Sequence, residues 1–96
     1  MVDAEEGDTS VRSTLSLKTT NQYHSYAPDD SDYHWLDHFF GKNLESRYRI
    51  DLLIETENFN LRMQHEPEAL TWSFERQQSE WRIWITRAVN YAKHRM

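Results

Sequence analysis

The sequence predicts an α+β domain with an N-terminal helix, a three-stranded antiparallel meander and a C-terminal helix, preceded by a mostly disordered polar tail. Three observations predict it. Apolar residues fall at helical spacing directly after a cluster of helix-start residues near position 30. The spacing changes to two from Arg47 onward. Helical spacing then returns towards the C-terminus.

Ninety-six residues fit one domain. Residues 1–30 are rich in Ser, Thr, Asp, Asn and Glu and have little to bury, so the entropy of ordering them has little to offset it. They form the expected tail, and residues 31–96 the domain. Within the tail, Val11, Ser13, Leu15, Leu17 and Thr19 alternate with polar residues at strand period, a stretch able to add an edge strand. Aromatics make up 14% of the chain, and eleven of the thirteen lie between Tyr33 and Tyr91, which places an aromatic-rich core in the last two thirds.

The run Pro28-Asp29-Asp30-Ser31-Asp32 combines a residue that disfavours helix before it, capping side chains and acids suited to a helix N-terminus. A helix from about Asp32 to Leu44 follows, with Tyr33, Trp35, Leu36, Phe39, Phe40 and Leu44 on one half of the wheel. Gly41 falls on the other half, where it weakens the helix without opening the core. Next, Tyr48, Ile50, Leu52 and Ile54 alternate with polar residues, as do Phe59, Leu61 and Met63, giving two strands of a hairpin. Pairing Ile54 with Phe59 across the loop Glu55-Thr56-Glu57-Asn58 keeps the apolar face intact and sets Asp51 opposite Arg62. Leu70, Trp72 and Phe74 supply a short third strand after the turn at Pro67.

Trp81, Trp84, Ile85, Ala88, Tyr91 and Ala92 form a helical stripe, while Trp81, Ile83 and Ile85 also alternate as a strand would. The alternation fails at Arg87 and the stripe continues, so a helix over about Ser79 to His94 is preferred to a strand; a single helix starting at Pro67 is a further option. The order helix, three strands, helix is also that of the double-stranded-RNA-binding domain. The lysine cluster that opens the last helix there is missing, Ser79-Glu80-Trp81-Arg82 standing in its place, and element order alone assigns no family.

With no cysteine, the chain has no disulfide framework, thiolate zinc site or thiol nucleophile. Its start, Met-Val-Asp-Ala-Glu-Glu, has neither the basic residues nor the apolar run of a signal peptide, and no run approaches bilayer-spanning length. A cytoplasmic protein without membrane contact is expected. The net charge of −5 is uneven: residues 1–30 carry −4 and residues 31–75 carry −5, whereas Arg76, Arg82, Arg87, Lys93 and Arg95 against Glu80 give the last segment +4.

Asp30, His34 and His38 are spaced one helical turn apart, as ligands of a divalent ion could be, but a fourth ligand is lacking and a solvated helix face is the preferred reading. His65 beside Glu66, and Glu55 with Glu57, are the only acid–base candidates; a strand end and a solvated turn account for them. With only Gly7 and Gly41 in the chain there is no phosphate-cradling loop, and no nucleophile elbow is present. No catalytic residue, cofactor or metal is therefore expected.

What remains is a small acidic protein, regulatory in character, that binds another macromolecule as adaptor, inhibitor or accessory subunit. Ile83, Arg87 and Asn90 on the outer face of the last helix are the first candidates for protein contact, because an exposed apolar residue ringed by polar ones can anchor an interface. Arg47, Arg49, Leu53 and Arg62, on the open face of the expected sheet, are the second set. Nucleic acid is the alternative partner, held by the basic C-terminal segment. A further alternative is an acidic mimic of nucleic acid formed by residues 1–75.

Overall fold

Asp29 starts the first helix. Its side chain accepts from the Asp32 backbone N–H at 3.1 Å while the Asp32 side chain accepts from the Asp29 N–H at 3.1 Å, a reciprocal capping box. Helix α1 (Asp30–Phe40) follows and stops at Gly41, whose φ of 86° is open to glycine and strained for other residues. A short helix α2 (Leu44–Tyr48) ends at Arg49, which is left-handed at φ 59°. Asp51 then caps α3 (Leu52–Gln64), its carboxylate accepting from the Leu53 and Ile54 N–H groups at 3.0 and 3.2 Å. A 3₁₀ turn (Pro67–Thr71) opens on proline, and Ser73, whose hydroxyl accepts from Arg76 N–H, starts α4 (Phe74–Arg95).

This is a computed structural model, and it describes residues 23–95. The expected tail up to position 22, with the alternating stretch at 11–19, lies outside the described residues. Helix α4 is 22 residues long, about 33 Å at 1.5 Å per residue, and α3 and α2 pack along it while α3 also covers the 3₁₀ turn. The core comprises Tyr26, Leu36, Leu44, Phe59, Met63, Ala69, Trp81, Ile85 and Val89. Tyr26 lies N-terminal to the expected domain start at 31, yet its ring packs against Phe59, Phe74 and Trp81 at centroid distances of 6.5, 5.6 and 5.8 Å.

The structure corrects the α+β expectation: the described residues are helical and contain no strand, so there is no three-stranded meander. The expected hairpin loop Glu55-Thr56-Glu57-Asn58 lies inside α3. The reason is visible in what α3 buries: Thr56, Phe59, Asn60 and Met63, a spacing of three, one and three that follows a helical face. Two of these four are polar, and hydrogen bonds satisfy them. Ile54 and Leu61, which belong to the strand pattern, are more than half exposed, as is Leu53, expected on the open face. The third expected strand is replaced by the 3₁₀ turn and the first turn of α4.

At the C-terminus the chain is helical across 81–87, so Ile83 falls beside the buried stripe of α4 and is 44% exposed, whereas Trp81, Ile85 and Val89 are fully buried. Ile83→Asp should therefore leave the urea-unfolding midpoint close to that of the parent. Trp81→Ala should cost about 3–5 kcal/mol, the usual range for deleting a buried large aromatic. Denaturation followed by circular dichroism measures both, and a collapse caused by Ile83→Asp would contradict this packing.

Candidate functional site

The left-handed turn at Arg49 and the cap at Asp51 set the start of α3 apart from the C-terminal half of α4, and a groove of about 1070 Å³ opens between them. One wall is the α2–α3 corner, with Tyr48, Arg49, Ile50 and Asp51, continued by Ile54 and Glu55 of α3. The other is α4, with Trp84, Arg87, Ala88, Tyr91, Ala92 and Arg95. Alanines at 88 and 92 leave the depth that larger side chains would fill. Trp84 donates its indole N–H to Glu55 Oε1 at 3.0 Å, which fixes the ring across the inner end of the groove.

The two acids of the groove are already occupied, Asp51 in capping α3 and Glu55 in holding Trp84. Arg95 donates to the Tyr91 hydroxyl at 2.8 Å and lies over its ring. Among the described residues the ion pairs are Arg62–Glu66, Arg76–Glu80 and Arg82–Asp32, so Arg49, Arg87 and Arg95 meet no carboxylate there. The groove thus joins an apolar, partly aromatic floor to three cations that form no ion pair among the described residues.

A second, smaller recess of about 190 Å³ lies on the other side of Trp84, between α3 and α4, and takes in Arg62, Ile83 and Arg87. Of the seven residues singled out from sequence, Ile83, Arg87 and Arg62 therefore meet at this recess, and Arg49 joins Arg87 at the larger groove. Arg47, Arg49, Leu53 and Arg62 do not share a sheet face, because the described residues form no sheet; they are spread over α2, the α2–α3 corner and α3. Arg47 lies over the Tyr48 ring, and Leu53 and Asn90 are exposed outside both concavities. Tyr48, Ile54, Tyr91 and Arg95 also line the groove, and no local pattern in the sequence marks them for it. Tyr91, expected on a buried stripe, is 65% exposed.

The most buried polar cluster is elsewhere and ties the chain together. The Asp32 carboxylate is fully buried and accepts from Arg82 Nε at 2.7 Å, from the Tyr26 hydroxyl and from the Asp29 N–H. Arg82 also lies over the Trp35 ring and donates to the Ser31 hydroxyl. Asn60 accepts from Tyr26 N–H at 2.8 Å, donates to Tyr26 C=O at 2.9 Å and accepts from the Tyr23 hydroxyl at 2.7 Å. Burial, reinforced by the bond to Asp32, raises the Tyr26 phenol well above its ordinary value, and burial raises Tyr23. The Ser31 hydroxyl, followed by the Asp32 N–H, lowers Asp29.

Among the described residues no three His, Asp or Glu side chains gather to hold a metal ion, and His38 packs edge-on against Phe39. Among the same residues no helix is long and apolar enough to cross a membrane. No protein-family model, no curated protein and no solved structure matches the chain.

The cluster makes two predictions. Arg82→Met leaves the Asp32 carboxylate buried without its cation and should cost about 3–5 kcal/mol in urea unfolding at neutral pH. Tyr23 and Tyr26 keep their protons more tightly folded than unfolded, so their contribution is intact below pH 10 and is lost as pH rises above it. The unfolding midpoint should stay level up to about pH 10 and fall beyond. In Tyr23→Phe/Tyr26→Phe protein that fall should be largely gone; an unchanged alkaline slope would show that other groups produce it.

Proposed function

We propose that this is a small non-enzymatic protein that binds another protein, as adaptor, inhibitor or accessory subunit, through the groove between the α2–α3 corner and α4. The observation that carries this reading is the groove itself, an open apolar and aromatic concavity of about 1070 Å³ rimmed by arginines. Apolar floors with charged rims are the usual anatomy of protein contact sites, and aromatic side chains and arginine are the residue types that most often dominate their energetics. The two acids in the groove are engaged in holding structure, which favours binding without a chemical step. The proposal sets the domain in the cytoplasm, a reducing compartment where a chain without cysteine forgoes no disulfide.

A nucleic-acid strand is the second reading, favoured by the same arginines together with the exposed Tyr91 ring, on which a base could stack. The partners are distinguished by placing a photo-crosslinking amino acid at position 91 and, as a control, at position 33, which is exposed on α1. Irradiation in the native cell should give a nuclease-resistant protein adduct from position 91 and not from position 33. An adduct destroyed by nuclease would favour the second reading, and adducts of equal yield from both positions would remove the groove from consideration.

A further inference from the structure

We propose that the occupant of this groove is an acidic protein segment, with one or two apolar side chains seated on Trp84, Ala88 and Ala92 and carboxylates directed to Arg49, Arg87 and Arg95. The inference rests on the reading of the groove as a protein-binding site and adds the chemistry of the partner. Charge complementarity carries it. Every carboxylate in the groove is bound internally, whereas its three guanidinium groups meet no carboxylate among the described residues. Each of these arginines has donors left over for a planar, bidentate acceptor.

Placement of the cations narrows the geometry. Arg87 and Arg95 are eight residues apart on α4, about 12 Å along the helix axis, and Arg49 faces them from the α2–α3 corner. An elongated ligand lying along α4 therefore meets a cation at each end and one across from it, while the alanines admit its apolar side chains between them. The groove gathers three arginines against two acids, a local excess of positive charge in a chain that carries −5 as a whole, so an acidic segment is attracted at short range, within the groove. A continuous polyanion suits it less well, because its floor is apolar and offers no cation between Arg87 and Arg95 on α4.

Selection from a random peptide library displayed on phage, with the full chain immobilised and an Ala88→Trp variant used to discard peptides that bind elsewhere, tests the proposal. The enriched peptides should carry carboxylates flanking apolar residues. Synthesised and titrated by fluorescence anisotropy, they should bind at least about tenfold more weakly to Arg87→Glu protein, and more weakly as salt rises. Tyr91→Ala, a change at an exposed position, should weaken them as well, and circular dichroism checks that each variant keeps the parent unfolding midpoint. Peptides that depend on Ala88 and Tyr91 but are neutral or basic would overturn the acidic occupant and leave the groove as a protein site. Failure to enrich any peptide sensitive to Ala88→Trp and Tyr91→Ala would overturn both. Tighter, Arg87-dependent binding of a single-stranded oligonucleotide would overturn the proposal in favour of nucleic acid.

Discussion

Trp81 has no exposure at all, and an indole in that position is stable only if its N–H is met by an acceptor. Thr56 meets it at 2.9 Å from α3. That bond sets the rotation of α3 about its own axis, because the side of the helix that offers Thr56 also offers Phe59, Asn60 and Met63 to the core. With α3 so turned, Asn60 reaches the backbone of Tyr26, and the Tyr26 ring closes over Trp81. One buried donor thus orders three segments that are far apart in the chain.

The same arrangement separates stability from binding. The polar cluster around Asp32 and the ring cluster around Trp81 sit towards the N-terminal half of α4, where Gln78 and Arg82 meet the start of α1. The groove lies beyond Trp84, towards the other end of α4, where α3 and α4 no longer fill the space between them. Trp84 belongs to both regions: its ring packs against Phe59 and its N–H is held by Glu55. A partner seated in the groove would touch the core through Trp84, Tyr48 and Ile50, which pack against it, and would otherwise contact side chains outside it.

Much of the helical part was legible in the sequence, and the middle of the chain was not. Asp29, Asp30 and Asp32 announce a helix start by their chemistry alone, and the stripe through Trp81 and Ile85 is long enough to outweigh a competing alternation. Residues 47–74 mislead because α3 buries Thr56 and Asn60 and exposes Leu53, Ile54 and Leu61, so apolarity and burial are out of step. The partners that make Thr56 and Asn60 acceptable inside are Trp81 and Tyr26, which are 25 and 34 residues away and invisible to any local pattern. The groove was half legible for a related reason. Its arginines stood out as charge, but Tyr91 and Ala92 read as core because nothing local tells that α3 fails to cover them.

The Asn60 side-chain amide is joined by two hydrogen bonds to the N–H and the C=O of one residue, Tyr26, the same exchange that neighbouring strands make. Such a contact recognises backbone groups and not a residue type. A slip of the segment that brought His24 to this place would offer Asn60 a donor and an acceptor of the same kind. What forbids the slip is aromatic: the Tyr26 ring fits among Phe59, Phe74 and Trp81 while its hydroxyl meets Asp32, and the Tyr23 hydroxyl returns to Asn60 from three residues earlier. The alignment of this leading segment is therefore written in the spacing of two tyrosines, and an inserted or deleted residue between them would put attachment and alignment in conflict.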